Sequence, residues 1–195
     1  MSEQIEIEFK NLLTQDEYRH LIKHFNLTNV PPIFQENIYL DTPDFKLKQH
    51  HAALRVRIKE HQQSEITLKT PIEKGLLETN IPLTTEECLM FMTDQQLPEK
   101  KELEMKLKTF GMNHSSVDVF ASLKTKRIEK QLTPDILIVL DESWYHGQHD
   151  VELEIEASNY EDGERFFLTL LAQHHIPRRH TPNKIQRAMQ AKLNP

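Results

Sequence analysis

The chain of 195 residues carries a net charge of −6, with 37% hydrophobic and 28% charged residues, which excludes a disordered chain and indicates a charge-rich globular one. The acidic balance argues against general nucleic-acid binding, and no segment approaches the ~18 apolar residues that a membrane span needs. A single cysteine, Cys88, excludes an internal disulfide and favours a reducing compartment. We therefore expect a cytoplasmic protein with neither a nucleic-acid nor a membrane partner.

Strand-like segments recur along most of the chain, and short polar turns join several of them, as antiparallel neighbours require. They are predicted over 4–11, 35–41, 52–60, 64–70, 76–82, 119–130, 135–142 and 149–157. Helices are predicted after the capping pairs Thr14–Glu17 and Thr84–Glu87, over 99–110 and 160–175, and after Thr181 at the end. This pattern favours a single α+β domain, 1–195, built on antiparallel strands.

Two strands near opposite ends of the chain carry carboxylates on one face only. In the first, Glu6, Glu8 and Lys10 alternate with apolar residues, and in the second Glu152, Glu154 and Glu156 do so. Each carboxylate pair, about 7 Å apart, repels by roughly 2.5 kcal/mol at an effective dielectric of about 20. A fold that joins these strands therefore needs basic side chains, a metal ion, or both, between them.

Other strands carry basic residues on one face. Arg55, Arg57 and Lys59 share a face of one strand, Lys69 follows on the next, and 124–130 is strongly basic. If the ionic faces turned inward, the sheet would form a charged barrel whose apolar outside is covered by helices. Clustered carboxylates bind hard divalent ions, and clustered Arg and Lys bind phosphate. Together they describe a site for a metal-chelated polyphosphate.

An alternative remains open at this point. The charged face of an antiparallel strand is most often the solvated face of a half-buried sheet. A solvated face usually mixes charge signs, however, whereas single faces here hold three acidic or three basic residues. Like charges side by side are mildly destabilising, which favours a purpose beyond solubility.

The opening Glu6-x-Glu8-x-Lys10 resembles the ExExK signature of the CYTH, or triphosphate tunnel metalloenzyme, superfamily, in its compact bacterial form. The resemblance spans nearly the whole chain in the expected order. It continues through Tyr39–Pro43, Ala53–Arg57, Thr67–Lys69, Lys126–Arg127, Leu140–Asp141, Glu152-x-Glu154 and Asn183–Ala188.

This resemblance implies an eight-stranded antiparallel β-barrel, or tunnel, with a charged interior and flanking helices. It implies Mg²⁺ or Mn²⁺ as cofactor, with metal ligands Glu6, Glu8, Glu152 and Glu154. The catalytic residues would be Glu6, Glu8 and Lys10. Triphosphate would be bound by Lys10, Arg55, Arg57, Lys69, Lys126, Arg127 and Lys184. Because Lys126 and Arg127 alternate on an ideal strand, only one of them is expected to point inward.

The resemblance thus implies a hydrolase that removes the terminal phosphate of a small-molecule triphosphate, with inorganic triphosphate preferred and nucleoside or thiamine triphosphate as further candidates. An adenylyl cyclase of the same superfamily and a non-catalytic polyphosphate-binding module are the alternatives. A pure anion binder has no use for four inward carboxylates, which favours catalysis.

Overall fold

The structure is a computed structural model that describes residues 1–193. Eight strands form a closed barrel in the order β1-β5-β4-β3-β2-β6-β7-β8, which confirms the predicted architecture. They are β1 Ser2–Leu13, β2 Ile33–Asp41, β3 Ala53–Lys59, β4 Glu65–Pro71, β5 Leu76–Pro82, β6 Asp118–Thr133, β7 Ile136–Tyr145 and β8 Gln148–Ala157. The last two residues of the predicted domain, Asn194 and Pro195, lie outside the described residues.

Helices connect and follow the strands. They are α1 Gln15–His24, α2 Lys46–Gln49, α3 Thr85–Asp94, α4 Lys101–Lys108, α5 Tyr160–Gln173 and α6 Lys184–Leu193. Both predicted capping boxes are present, with Thr14 Oγ1 accepting from the Glu17 amide at 3.2 Å and Thr84 Oγ1 accepting from the Glu87 amide at 3.1 Å. No helix within residues 1–193 is long and apolar enough to span a membrane.

The start of α6 differs from the prediction. We expected Thr181 to cap this helix, but α6 begins at Lys184. The Thr181 hydroxyl instead accepts from the Leu12 amide at 2.9 Å and donates to the Arg179 carbonyl at 3.2 Å. The predicted cap is therefore used to hold the chain against β1.

The chain divides into two compact units, and the first comprises Met1–Ile5 and Gln35–Ser122. Its core forms where one face of β3 and β4 packs against α3 and α4. The buried side chains that make this contact are Leu54, Val56, Ile66, Leu68, Phe91, Leu103 and Leu107. Because strand residues alternate between faces, this packing leaves the charged residues of β3 and β4 on the face away from the helices.

The second unit comprises Glu6–Phe34 and the chain from Leu123 onward. Its core joins one face of β7 and β8 to α1 and α5. The contributing side chains include Ile138, Leu140, Leu153, Ile155, Tyr18, Leu21, Phe167, Leu170 and Leu171. Alternation again leaves the acidic residues of β8 on the face away from these helices.

Candidate active site

The second unit gathers carboxylates on the face of its strands that points away from α1 and α5. Across the β1–β8 pair, Glu8 lies opposite Glu156 and Lys10 opposite Glu154, while Glu152 lies opposite Asp141 on β7. The acidic cluster, as we name it, comprises Glu6, Glu8, Asp141, Glu152, Glu154 and Glu156. The sequence predicted that basic groups, a metal ion, or both must separate such carboxylates, and the structure shows basic groups among them.

Lys184, the first residue of α6, reaches into the acidic cluster. Its Nζ lies 2.9 Å from Asp141 Oδ2, 2.8 Å from Glu152 Oε1 and 2.6 Å from Glu154 Oε1. Burial alone would lower the pKa of Lys184, but the surrounding carboxylates outweigh it and raise this pKa well above its ordinary value. Lys184 therefore stays charged in the site.

Arg127 provides a second cation to the same carboxylates. It donates from Nε to Asp141 Oδ1 at 2.9 Å and from Nη2 to both Asp141 Oδ2 at 2.7 Å and Glu154 Oε2 at 2.8 Å. Lys126 points to the other face of β6, where its Nζ lies 3.4 Å from Glu142. Of the two neighbours that were both predicted to bind triphosphate, the structure brings only Arg127 into the acidic cluster.

Arg187 is a cation that reasoning from the sequence missed as a site residue. It lies one helical turn after Lys184, is 6% exposed, and places Nη1 2.5 Å from Glu152 Oε2. Its Nε lies 3.0 Å from Asp150 Oδ2, and its Nη1 also donates to the Pro182 carbonyl at 2.8 Å. The i,i+3 spacing of two basic residues on the final helix was the available signal.

Carboxylates act on one another's ionisation at one end of the cluster. Burial raises the pKa of Glu156 to about 7, and although Arg127 lowers it, the charges of Glu154, Glu6 and Glu8 raise it further. Lys10 contacts Glu8, and the carboxylates Glu8 and Glu154 raise the Lys10 pKa despite its burial. An additional positive charge would therefore be favourable beside Glu156.

The donor chemistry of this cluster fits Mg²⁺ or Mn²⁺, which prefer carboxylate oxygens. Within residues 1–193, however, no group of three or more His, Cys, Asp or Glu side chains is arranged so that it could hold a metal ion. The contacts above give the physical reason: the oxygens of Asp141, Glu152 and Glu154 are turned towards Lys184, Arg127 and Arg187. The residue types suit the ion, but in the observed arrangement basic side chains lie where the ion would bind.

The first unit presents a cluster of the opposite sign on its own helix-free face. The basic cluster comprises Arg55, Arg57, Lys59 and Lys69. Glu65 and Glu78 pair with residues of this cluster: Lys59 Nζ is 2.8 Å from Glu65 Oε1, and Lys69 Nζ is 2.7 Å from Glu78 Oε1. Four Arg and Lys side chains gathered on one face suit an anion.

Glu78 was not among the predicted site residues, because a lone acid on β5 gives no sequence signal. It is 4% exposed and accepts from Gln4 Nε2 at 3.1 Å. Burial raises the Glu78 pKa, but the charges of Lys69 and Arg55 outweigh it and set the pKa at about 2. Glu78 is therefore a fixed negative charge that orients two residues of the basic cluster.

On the same face, a row of three polar residues in register runs across β3, β4 and β5. In register, Arg55 lies opposite Thr67, and Thr67 lies opposite Asn80. Within the described chain, Arg55 Nε, Thr67 Oγ1 and Asn80 Oδ1 are buried with no hydrogen-bond partner. Buried polar atoms without partners cost free energy, so their presence in a row indicates a place for a polar ligand or water. Thr67 was quoted in the sequence motif but given no role, and Asn80 was missed.

In a closed antiparallel barrel such as this one, the strands carry charged residues on the face away from the core helices. This is the architecture of the triphosphate tunnel class of proteins. The CYTH domain family matches residues 4–189 of the chain. The chain is also 41% identical over 192 residues to the Bacillus subtilis protein named "Putative triphosphatase YjbK", with 98% of each chain covered. The chain therefore belongs to the CYTH family.

Two solved structures resemble the fold closely. A Bacillus halodurans protein described as a "putative adenylate cyclase" is 33% identical, with a TM-score of 0.87 over 96% of this chain and 98% of that one. A Hippeastrum protein, described as a "putative adenylyl cyclase" with a dominant triphosphatase activity, has a TM-score of 0.79 over 96% of each chain. At 16% identity the second likeness shows the fold alone.

Proposed function

We propose that this CYTH protein hydrolyses the terminal phosphate of a triphosphate in a reaction that depends on a divalent metal ion. The observation that carries the proposal is the division of charge: a cluster of carboxylates in one unit, in which burial raises the Glu156 pKa to about 7, and a cluster of Arg and Lys side chains in the other. Carboxylates suit a metal, and Arg and Lys suit phosphate. The name of the Bacillus subtilis relative supports the same activity.

In this proposal Glu6, Glu8, Glu152 and Glu154 hold Mg²⁺ or Mn²⁺. Such an ion, when bound, neutralises phosphoryl oxygens and lowers the pKa of a bound water. The acidic residues would otherwise repel a triphosphate, so their number is understandable only if a cation intervenes. Glu156, opposite Glu8 in register, is a further candidate ligand of the same chemistry.

The residues proposed to bind triphosphate are Lys10, Arg55, Arg57, Lys69, Arg127 and Lys184. Arginine donates in a fork that matches two phosphate oxygens, whereas lysine acts as a compact charge. Every proposed contact is to phosphate, so inorganic triphosphate presents all that these residues recognise. Nucleoside and thiamine triphosphates remain candidate substrates, and the whole chain, 1–195, would act as one functional domain in the cytoplasm.

The reaction needs no nucleophilic side chain. The oxygen of a water molecule bonds to the terminal phosphorus while the bond from that phosphorus to the bridging oxygen breaks, which gives orthophosphate and, from inorganic triphosphate, diphosphate. The residues of the basic cluster would hold the two non-reacting phosphates. Lys10, whose ammonium stays charged, would neutralise charge on the transferred group.

Phosphate release from inorganic triphosphate and from ATP, each with Mg²⁺, Mn²⁺ or EDTA, tests this proposal. The Glu8→Gln variant is the matched control, because it removes one carboxylate charge at almost constant shape. Release that requires metal and is lost in the variant is the expected result. Metal-independent release, or release that Glu8→Gln retains in full, would overturn the proposal.

A second candidate function is adenylyl cyclase, favoured by the description of the 33%-identical Bacillus halodurans protein. Cyclisation of ATP yields diphosphate and a cyclic nucleotide, whereas hydrolysis yields orthophosphate. Analysis of the ATP products therefore separates the two activities. If triphosphate stabilises the protein with metal but neither product forms, a non-catalytic binding module is the better description.

A further inference from the structure

From the contacts of α6 we infer that Lys184 is an exchangeable internal cation: it occupies the carboxylates in the metal-free protein, and a divalent ion must displace it to bind. This inference rests on the proposed function, since it concerns the same metal site. It explains why the acidic cluster has the right residues for a metal but no formed metal centre within the described chain.

Each carboxylate oxygen of Asp141, Glu152 and Glu154 already lies beside a cation. Glu154 has Lys184 at Oε1 and Arg127 at Oε2. Glu152 has Lys184 at Oε1 and Arg187 at Oε2. Asp141 has Arg127 on both oxygens and Lys184 beside Oδ2. A metal ion that binds these oxygens therefore competes with a cation already beside each of them.

Lys184 contacts three carboxylates through a single nitrogen. Its ammonium lies 2.6–2.9 Å from oxygens of Asp141, Glu152 and Glu154. An ion bound by two of those oxygens lies about 2.1 Å from each, so the ion and the ammonium would occupy nearly the same place. Their like charges add to this steric exclusion.

The other two cations are held by additional contacts. Arg187 is anchored by the Pro182 carbonyl and by Asp150 as well as by Glu152. Arg127 forms a bidentate pair with Asp141. Lys184 has a flexible stem, and it stands at a helix N-terminus, where the helix dipole disfavours a cation. Its position is therefore set by the carboxylates.

The released ammonium remains beside the site and becomes available to a phosphate oxygen. The same side chain thus neutralises the carboxylates before the metal binds and the substrate afterwards. This order of binding events reconciles the predicted triphosphate-binding role of Lys184 with its observed carboxylate contacts. It also predicts that metal binding is weaker than the number of carboxylates alone would give.

Titration with Mn²⁺, followed by electron paramagnetic resonance of the free ion, tests the inference on the full chain without substrate. Lys184→Met should tighten Mn²⁺ binding at least about tenfold. Arg187→Met is the matched control, because it removes one positive charge from the same carboxylate without vacating the shared position, and it should change the affinity by less than about threefold. Equal effects of the two variants, or an unchanged affinity in Lys184→Met, would overturn the inference.

A second measurement uses the unmodified protein and does not depend on the folding of a variant. Acetylation of Lys184, followed by mass spectrometry, should rise several-fold on addition of Mg²⁺, while that of Lys130, which donates to the Phe25 carbonyl, should not change. Unchanged labelling of Lys184 at saturating Mg²⁺ would contradict displacement. If neither the parent nor Lys184→Met bound Mn²⁺, the metal dependence of the proposed function would fail too; binding with equal affinity would remove only this inference.

Discussion

Lys69 and Glu78 are cross-strand partners on β4 and β5, and their Nζ and Oε1 atoms lie 2.7 Å apart on a buried face. This pair, with Arg55 Nη2 at 3.5 Å from the same oxygen, sets the Glu78 pKa at about 2 against an ordinary value of 4.5. A depressed carboxyl pKa contributes stability that is fully present above the unfolded pKa. That stability is lost as the pH falls from about 4.5 towards 2.

We therefore expect the free energy of unfolding to fall by on the order of 2–3 kcal/mol through this pair between about pH 5 and pH 2. Urea denaturation at several pH values measures it. In Glu78→Gln the acid-dependent loss should be smaller by that amount, because the amide does not titrate. An identical pH profile for the variant would show that Glu78 is not held ionised by Lys69 and Arg55.

Gly163 on α5 is required by the close approach of this helix to the sheet. A Cβ at this position would lie 2.6 Å from the Ala157 Cβ and 2.7 Å from Phe9 Cε2. Phe9 also stacks on Phe167, with ring centroids 5.9 Å apart, so it has little freedom to move. Gly163→Ala should therefore destabilise the protein by about 1–3 kcal/mol, although alanine is the better helix former.

Urea denaturation of Gly163→Ala beside Glu164→Ala makes the comparison, because Glu164 is an exposed neighbour on the same helix. The control should change stability by less than about 0.5 kcal/mol. A Gly163→Ala variant as stable as the parent would mean that α5 can shift away from the sheet without cost.

Arg57 on β3 and Lys126 on β6 are predicted to differ in phosphate binding, because their side chains lie on opposite faces of the sheet. Arg57 lies on a helix-free face and donates from Nε to Asn37 Oδ1 at 2.9 Å, whereas Lys126 faces the other way and pairs with Glu142. Arg57→Ala should weaken triphosphate binding about 10- to 100-fold, the value of a charge-assisted hydrogen bond. Lys126→Ala should leave it within about threefold.

Isothermal titration with triphosphate in the presence of metal gives both affinities when Glu8→Gln is added to each variant to prevent turnover. Because each variant removes one positive charge, a general effect of net charge would weaken binding equally in both. That outcome would contradict the assignment of Arg57, and it would restore Lys126 to the set of binding residues predicted from the sequence.

Alternation of residue type predicted the strands well because it records which face of each strand is covered. It located all eight strands, although β1 extends to Leu13 and β6 to Thr133, beyond the predicted limits. Alternation also separated Arg127 from Lys126. Repulsion between acidic strands correctly required cations among them, and the family resemblance placed Lys184 in the site.

Contacts between residues that are distant in the sequence could not be predicted from local sequence patterns. The Thr181 hydroxyl has the chemistry of a helix cap, but its proximity to the Leu12 amide decides its partner. Glu78 carries no local pattern that separates it from an ordinary surface charge, and the i,i+3 spacing of Lys184 and Arg187 alone does not distinguish a buried Arg187 from an exposed one. Their roles arise from burial beside Glu152 and Lys69, which only the tertiary structure provides.

Thr67 offers a test of the polar row in the first unit. Its side chain is fully buried and its Oγ1 has no hydrogen-bond partner among residues 1–193, so the hydroxyl destabilises the ligand-free protein. Thr67→Val keeps the shape and removes the hydroxyl. The variant should be as stable as the parent or more stable by about 1 kcal/mol, yet bind triphosphate about tenfold more weakly, because a hydrogen bond to a charged phosphate is lost.

Thr125→Val is the matched control, since Thr125 is also buried but has Ser143 Oγ 3.3 Å from its hydroxyl. This control should lose about 1 kcal/mol of stability, the net value of a hydrogen bond. Urea denaturation and triphosphate titration of both variants give the comparison. If Thr67→Val binds triphosphate as tightly as the parent, the Arg55–Thr67–Asn80 row does not take part in substrate binding. If it binds more weakly at undiminished stability, the Thr67 hydroxyl contributes to ligand binding and not to the stability of the fold.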